Sequence, residues 1–263
     1  MHFKYKAYIP SSGGYISLRE INTNEYLAIV KTVANKQPDL IEELFDELLV
    51  DMTGTSKYNK LDKFFILCTI RAVCVGSRLT LSFEDKKSRK PYKTHIQIMT
   101  LLNDIADVEM STKEIITLNG VEVVLDIPVN LYIENPENLL YECVNTIRIS
   151  NSVIDVRELP FTEKKQLVES LPIEIVKKIR NYIKEVNKRY SEVTLYKVMN
   201  PHSDDKSVQT YSFNIFDSSM YDFISALFSD NLKSIYELMY VLSRRANISI
   251  DSLYRHTYAE VRM

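Results

Sequence analysis

Two β-rich runs meet at Asn119-Gly120 in the stretch EIITLNGVEVVLDIPV, residues 114–129. An Asn-Gly pair favours a type I′ turn, in which both central residues take positive φ and the flanking strands fold back with the right twist. A chain carrying this signal must build at least one antiparallel sheet. Pro128 and Pro136 punctuate the exit from that hairpin.

The opposite period stands upstream. From Pro38, Leu40, Ile41, Leu44, Phe45, Leu48 and Leu49 recur at helical spacing, and the pattern turns Glu42, Glu43, Asp46 and Glu47 towards water. The two periods then exchange along the whole chain. FKYKAYI and YISL flank PSSGG and predict an N-terminal hairpin. INTNEYLAIVKTVANK predicts a helix capped by Asn22 or Thr23, with Glu25 early in it. LDKFFILCTIRAVCVG is apolar on most sides, which predicts a central helix stopping near Gly76.

RLTLSF at 78–83 alternates, EDKKSRKPYK interrupts as a solvated loop, and residues 95–106 fit a strand or a helix. NTIRISNSVIDV reads as two short strands, followed by a helix in FTEKKQLVESL capped at Thr162. LPIEIVKKIRNYIKEVNKRY predicts a longer amphipathic helix with Ile173, Val176, Ile179, Ile183 and Val186 on one face. Residues 193–199 and 208–215 are β-like around a polar loop, and two helices follow, DSSMYDFISALFSDN and LKSIYELMYVLSRRAN, before ISIDSLYRHTYAEVRM. The fold class is therefore α+β: an N-terminal β-hairpin and helices, central β-hairpins and a helical C-terminal part. A change of character near residue 145 suggests an α+β lobe at 1–148 and a mainly helical lobe at 149–263, with a soft boundary that leaves a single domain open.

Composition excludes several functions. The 33 basic and 35 acidic residues nearly cancel, to a net charge of −2, so no global field favours nucleic acid or anionic lipid. No apolar run approaches the roughly 20 residues that span a bilayer, and MHFKYKAYIP has no apolar signal core. The expectation is a chain that stays in the compartment where it is made. Cys68, Cys74 and Cys143 are odd in number, lack CxxC spacing and read as buried thiols. The five glycines form no Gly-rich loop, so a phosphate cradle or nucleophile elbow is not expected. His2, His95, His202 and His256 are dispersed, with no metal-ligand spacing and no local triad signature. No catalytic, cofactor-binding or metal residue is expected.

Lys86, Lys87, Arg89, Lys90 and Lys93, with Tyr92 among them, form the best nucleic-acid candidate, because cations neutralise phosphates and a ring stacks on a base. The run follows Glu84 and Asp85 between strand-like segments, so it reads as a solvated hairpin tip. In the last long helix, Leu232, Ile235, Leu238, Met239 and Leu242 make an apolar stripe, with Tyr236, Tyr240, Arg244 and Arg245 at its margins. Tyrosine and arginine beside an apolar face are enriched at interface hot spots, which makes Tyr236, Tyr240 and Arg244 the candidate partner-binding residues. The rival reading puts both tyrosines in the core with satisfied hydroxyls.

The order of these segments resembles the baseplate hub protein and hub-assembly protein family of T-even-type bacteriophages. The resemblance rests on the hairpin leading into LREINTNEYLAIVKTVANKQP, on LDKFFILCTIRAVCVG, on LDIPVNLYIENPENL and on SIYELMYVLSRRANISIDSLYRHTYAEVRM. Arg19-Glu20, Glu25-Tyr26 and Tyr258-Ala259-Glu260 carry it, and a short further helix is expected in the family beyond Glu260. It implies a non-enzymatic component or assembly factor of the baseplate hub of a contractile tail, without cofactor, whose partners are other hub or tail proteins. It also implies work in the host cytoplasm during assembly, with retention in the virion, stoichiometry and homo-oligomerisation left open. A general chaperone or adaptor shares the composition, and would bind diverse peptides without preferring tail proteins. A motif-free enzyme would instead show a deep pocket with converging, perturbed titratable groups.

Overall fold

The computed structural model describes residues 4–85, 88–107, 112–133, 135–150, 152–193, 196–199, 208–211 and 218–262. The chain opens with β1 (Lys4–Ile9) and β2 (Gly14–Arg19), paired antiparallel from Lys4↔Arg19 to Ile9↔Gly14. Helix α1 (Thr23–Asn35) starts at a reciprocal cap: Asn22 Oδ1 accepts from Glu25 N at 2.9 Å, and Glu25 Oε2 accepts from Asn22 N at 2.8 Å. Asn22 is thus the cap, and Thr23 is buried. Helix α2 (Pro38–Thr53) has proline in its first turn, where the missing N–H costs nothing, and ends at Gly54 with φ +81°.

Helix α3 (Lys60–Cys74) is the centre of the molecule, with Phe64, Phe65, Ile66, Leu67, Cys68 and Ile70 at most 1% exposed. Strands β3 (Arg78–Glu84) and β4 (Pro91–Gln97) form the next hairpin, and α4 (Ile98–Ala106) follows directly. The ambiguous segment 95–106 is therefore strand up to Gln97 and helix afterwards. The Asn-Gly signal delivers its hairpin: β5 (Glu114–Leu118) pairs with β6 (Val121–Leu125) through Asn119 at φ +49° and Gly120 at φ +79°. After a short α5 (Leu139–Glu142), β7 (Val144–Ile149) and β8 (Ser152–Asp155) complete a sheet in the order β5-β6-β7-β8. Ile116, Val123 and Ile147 lie opposite one another on its buried face.

Gly120→Val forces a β-branched residue to positive φ, although nothing lies within 4 Å of the added carbon. The cost is backbone strain alone, about 1–3 kcal/mol, read as a lower thermal midpoint. An unchanged midpoint would mean that the turn bears no strain.

Helix α6 (Phe161–Glu169) corrects the expected cap at Thr162: it starts from Pro160, whose carbonyl accepts from Glu163 N and Lys164 N. Helix α7 (Ile173–Val193) corrects the expected stripe. Ile175, Ile179, Tyr182, Val186 and Tyr190 are buried, whereas Ile173 is 61% exposed and Val176 and Ile183 are half-buried. An aliphatic count overlooked the two tyrosines, which fill core positions. Tyr182 can do so because its hydroxyl donates to Thr112 O at 2.6 Å.

Strands β9 (Tyr196–Met199) and β10 (Val208–Tyr211) pair antiparallel, and the remainder of the β-like run to 215 lies outside the described residues. Four helices follow: α8 (Ser218–Leu227), α9 (Leu232–Ala246), α10 (Ile250–Arg255) and α11 (Tyr258–Arg262). The last two form within ISIDSLYRHTYAEVRM, which the periodicity left unassigned. This end returns to the beginning of the chain. Thr23 N donates to His256 O at 2.9 Å, Tyr258 N donates to Ile21 O at 3.1 Å, and the Tyr26 and Tyr258 rings stack at 3.8 Å. One buried cluster takes residues from Ala7 to Val261, and the suggested division at 148/149 falls inside β7. All three cysteines are buried and free; burial pushes the Cys74 thiol up to about 11. Among the described residues no helix is long and apolar enough to cross a membrane.

Candidate functional site

The exterior of α9 brings the three candidate partner-binding residues onto one surface. Asn231 caps the helix by accepting from Lys233 N and Ser234 N, which fixes where its rows of side chains begin. Ile235 and Met239 are buried beneath it, while Leu232, Leu238 and Leu242 are half-buried. Tyr236, Tyr240 and Val241 are 40%, 55% and 41% exposed, so the reading that placed both tyrosines in the core is corrected. The i, i+4 step from 236 to 240 to 244 sets them on the rim of the stripe, too far round the helix to reach the interior.

Cations sit on both rings. The Arg244 guanidinium lies 5.4 Å from the Tyr240 ring centre, and Lys31 Nζ reaches across from α1 to 5.7 Å from that of Tyr236. Such contacts hold the rings and the charges in place at the surface. Lys233, Tyr236, Glu237, Tyr240 and Val241 line a shallow depression of about 730 Å³. The depression is broad, aromatic and edged with charge, and Lys233 and Glu237 pair at 3.8 Å along it.

A second polar constellation lies inside. Lys63, with no exposed surface, places Nζ 2.6 Å from Asp46 Oδ1 and 3.3 Å from Glu42 Oε1. The Glu42 carboxylate also accepts from Leu131 N at 2.8 Å. The acidic face expected on α2 is therefore split: Glu43 and Glu47 meet water, and Glu42 and Asp46 turn to the lysine. Nearby, Asp62 accepts from Ser11 N and Ser11 Oγ, at 2.9 and 2.6 Å. Asp126 accepts from Ile127 N at 2.8 Å and Asn59 Nδ2 at 3.3 Å. Burial pushes Glu42, Asp62 and Asp126 above the usual carboxylate range, against the pull of these donors and, for Glu42, of Lys63. The network fastens the β1–β2 turn, α2 and the exit of β6 onto α3. The sequence signal was present in Lys60, Asp62 and Lys63 at the head of an apolar helix, but a reading by hydrophobic period passes over it.

The raised Asp126 carboxyl gives a pH prediction. A carboxyl whose folded value exceeds its unfolded one binds its proton more readily when folded, so its contribution to stability falls as pH rises through the window between the two. Asp126→Asn has no such group. The stability of the wild type relative to Asp126→Asn should increase as pH falls from neutral towards the ordinary aspartate value in denaturant titrations. A difference independent of pH would mean that Asp126 is not perturbed by burial.

The model of the family described as T4 bacteriophage base plate protein matches residues 2–212. The chain belongs to this family. No curated protein and no solved structure matches the chain. In this base plate protein the match runs from the first hairpin to just past β10, and so includes the buried polar network. Helices α8–α11, with the exposed tyrosines, lie beyond it.

Of the basic run, Arg89 and Lys90 lie between β3 and β4, with Arg89 Nη1 3.1 Å from Glu84 Oε1, Lys93 lies within β4, and Lys86 and Lys87 fall outside the described residues. Tyr92 is 5% exposed and unavailable for stacking on a base. His95 Nδ1 lies 3.0 Å from Thr80 Oγ1 and His256 Nδ1 3.2 Å from Glu260 Oε2, while His2 and His202 lie outside the described residues. Among the described residues no three metal-ligating side chains gather.

Proposed function

We infer that this base plate protein is a non-enzymatic component or assembly factor of the baseplate hub, working through contacts with other hub or tail proteins in the host cytoplasm. The observation that carries the reading is the outer face of α9, where Tyr236, Tyr240 and Arg244 stand together at the surface. A tyrosine offers a large ring with few torsions to freeze, and arginine pairs with carboxylates through two parallel bonds. These are anchors for a protein surface. Family membership supplies the setting.

Tyr240→Ala and Arg244→Ala, each introduced singly, test it by co-purification with hub and tail proteins from co-expressing cells. Each should weaken capture by about 1–3 kcal/mol of binding free energy. The thermal midpoint should barely move, because Tyr240 is 55% exposed and removes little packed surface. Unchanged capture with both variants would overturn α9 as the binding face.

A further inference from the structure

Two helices carry exposed charge of opposite sign that the fold does not compensate. On α2, Leu40, Glu43, Glu47 and Val50 follow one another at steps of three and four, so they share one outward row. Leu40 and Val50 are 46% and 48% exposed, although the helical pattern had assigned Leu40 to the core. The inward acids Glu42 and Asp46 share the cation Lys63, but Glu43 and Glu47 have no cationic partner among the described residues. On α9 the row is Lys233, Tyr236, Tyr240 and Arg244, with Lys31 and Arg245 adding charge beside it. Its one acid, Glu237, is held loosely by Lys233 at 3.8 Å, and Arg244 and Arg245 have no carboxylate partner among the described residues. The rows match in length, about 15 Å on α2 and about 16 Å on α9 at the helical rise.

We propose that the acidic outer face of α2 in one copy docks on the basic, aromatic outer face of α9 in a second copy. The proposal rests on the reading of α9 as an interaction face and names its occupant. Glu43 and Glu47 meet the cations and the tyrosine hydroxyls, while Leu40 and Val50 cover the rings. Two different patches are joined, so every copy offers one face of each kind and the contact propagates into a ring or a filament instead of stopping at a dimer. Two helices side by side bury less than the roughly 1,200–2,000 Å² of a stable interface, so the contact is weak and salt-sensitive.

The test is the mass of the full chain in solution, at about 10 and about 300 µM and at about 50 and about 500 mM salt. The wild type should grow in mass with concentration at low salt and return to monomer at high salt. Glu43→Lys with Glu47→Lys makes both faces positive, and Lys233→Glu with Arg244→Glu makes both negative. Each double variant alone should associate at least tenfold more weakly, with an unchanged thermal midpoint. An equimolar mixture of the two should regain assembly, because every contact is again between opposite charges. A wild type monomeric throughout, variants that associate like the wild type, or a mixture that stays monomeric would each overturn the proposal. Capture of hub and tail proteins is read in parallel. A monomeric wild type that still captures them overturns the self-contact alone, and a self-associating chain that captures none supports the contact while overturning the hub reading.

Discussion

Lys63→Met is expected to lower stability by about 3 kcal/mol, the lower end of the range for removing one partner of a buried ion pair. Lys63 has no exposed side-chain surface, and its ammonium is the cation that faces Glu42 and Asp46. Methionine fills much the same volume, so little of the effect comes from lost packing. What remains is uncompensated charge. The Asp46 side chain is 33% exposed and can turn to water, but that of Glu42 is 19% exposed and held by Leu131 N. Glu42 already sits above the usual carboxylate range through burial, and without the lysine it must protonate or stay buried as an unpaired anion. The deficit should therefore shrink as pH falls, and adding Glu42→Gln to Lys63→Met should recover part of it. Denaturant titrations at two pH values read both effects. A loss under about 1 kcal/mol would mean that water reaches the ammonium and the pair contributes as a surface pair does.

Tyr26→Ala is expected to cost about 3–5 kcal/mol, the range for truncating a buried aromatic ring. Tyr26 is fully buried, stacks on Tyr258 at 3.8 Å, and donates its hydroxyl proton to Asp230 Oδ2. The ring thus stands between α1, the α8–α9 connection and α11. Its loss should loosen the C-terminal helices before the sheet. Protease cleavage near residues 255–258 should rise sharply while the β5–β8 sheet stays protected. Tyr26→Phe keeps the stack and removes only the hydroxyl, so it should cost about 1–3 kcal/mol, the penalty for an acceptor stripped of its donor. Equal losses from the two variants would place the energy in the hydrogen bond and not in the ring.

Much of the fold was legible because local rules decided it. Asn119-Gly120 set its own turn, Pro38 opened α2, and the largely apolar run 64–70 could only lie at the centre. The misreadings occurred where tertiary contacts chose between similar candidates. Tyr182 won a core position on α7 because the Thr112 carbonyl lay within reach of its hydroxyl, and Glu42 turned inwards because Lys63 lay opposite. No periodicity along a single helix contains that information. The α9 face was legible as residue types at the margin of a stripe, but whether a margin is buried depends on what packs beside it. The acidic row on α2 reads from the sequence as an ordinary solvated face, and only the position of Lys63 separates the acids that turn inwards from those that stay in water.

The bridge between the two ends of the chain also has a bearing on synthesis. Thr23 and His256 are 233 residues apart, yet they share hydrogen bonds. At about 5–20 residues per second, the ribosome delivers the second partner roughly 10–50 s after the first. During that interval the flank of α1 that will receive Tyr258 is bare, and the sheet can form while this seam stays open. Helix α9 emerges only shortly before the seam closes. A nascent or prematurely terminated chain therefore cannot present the aromatic face on a finished body, so translation itself sets the moment at which that face is complete.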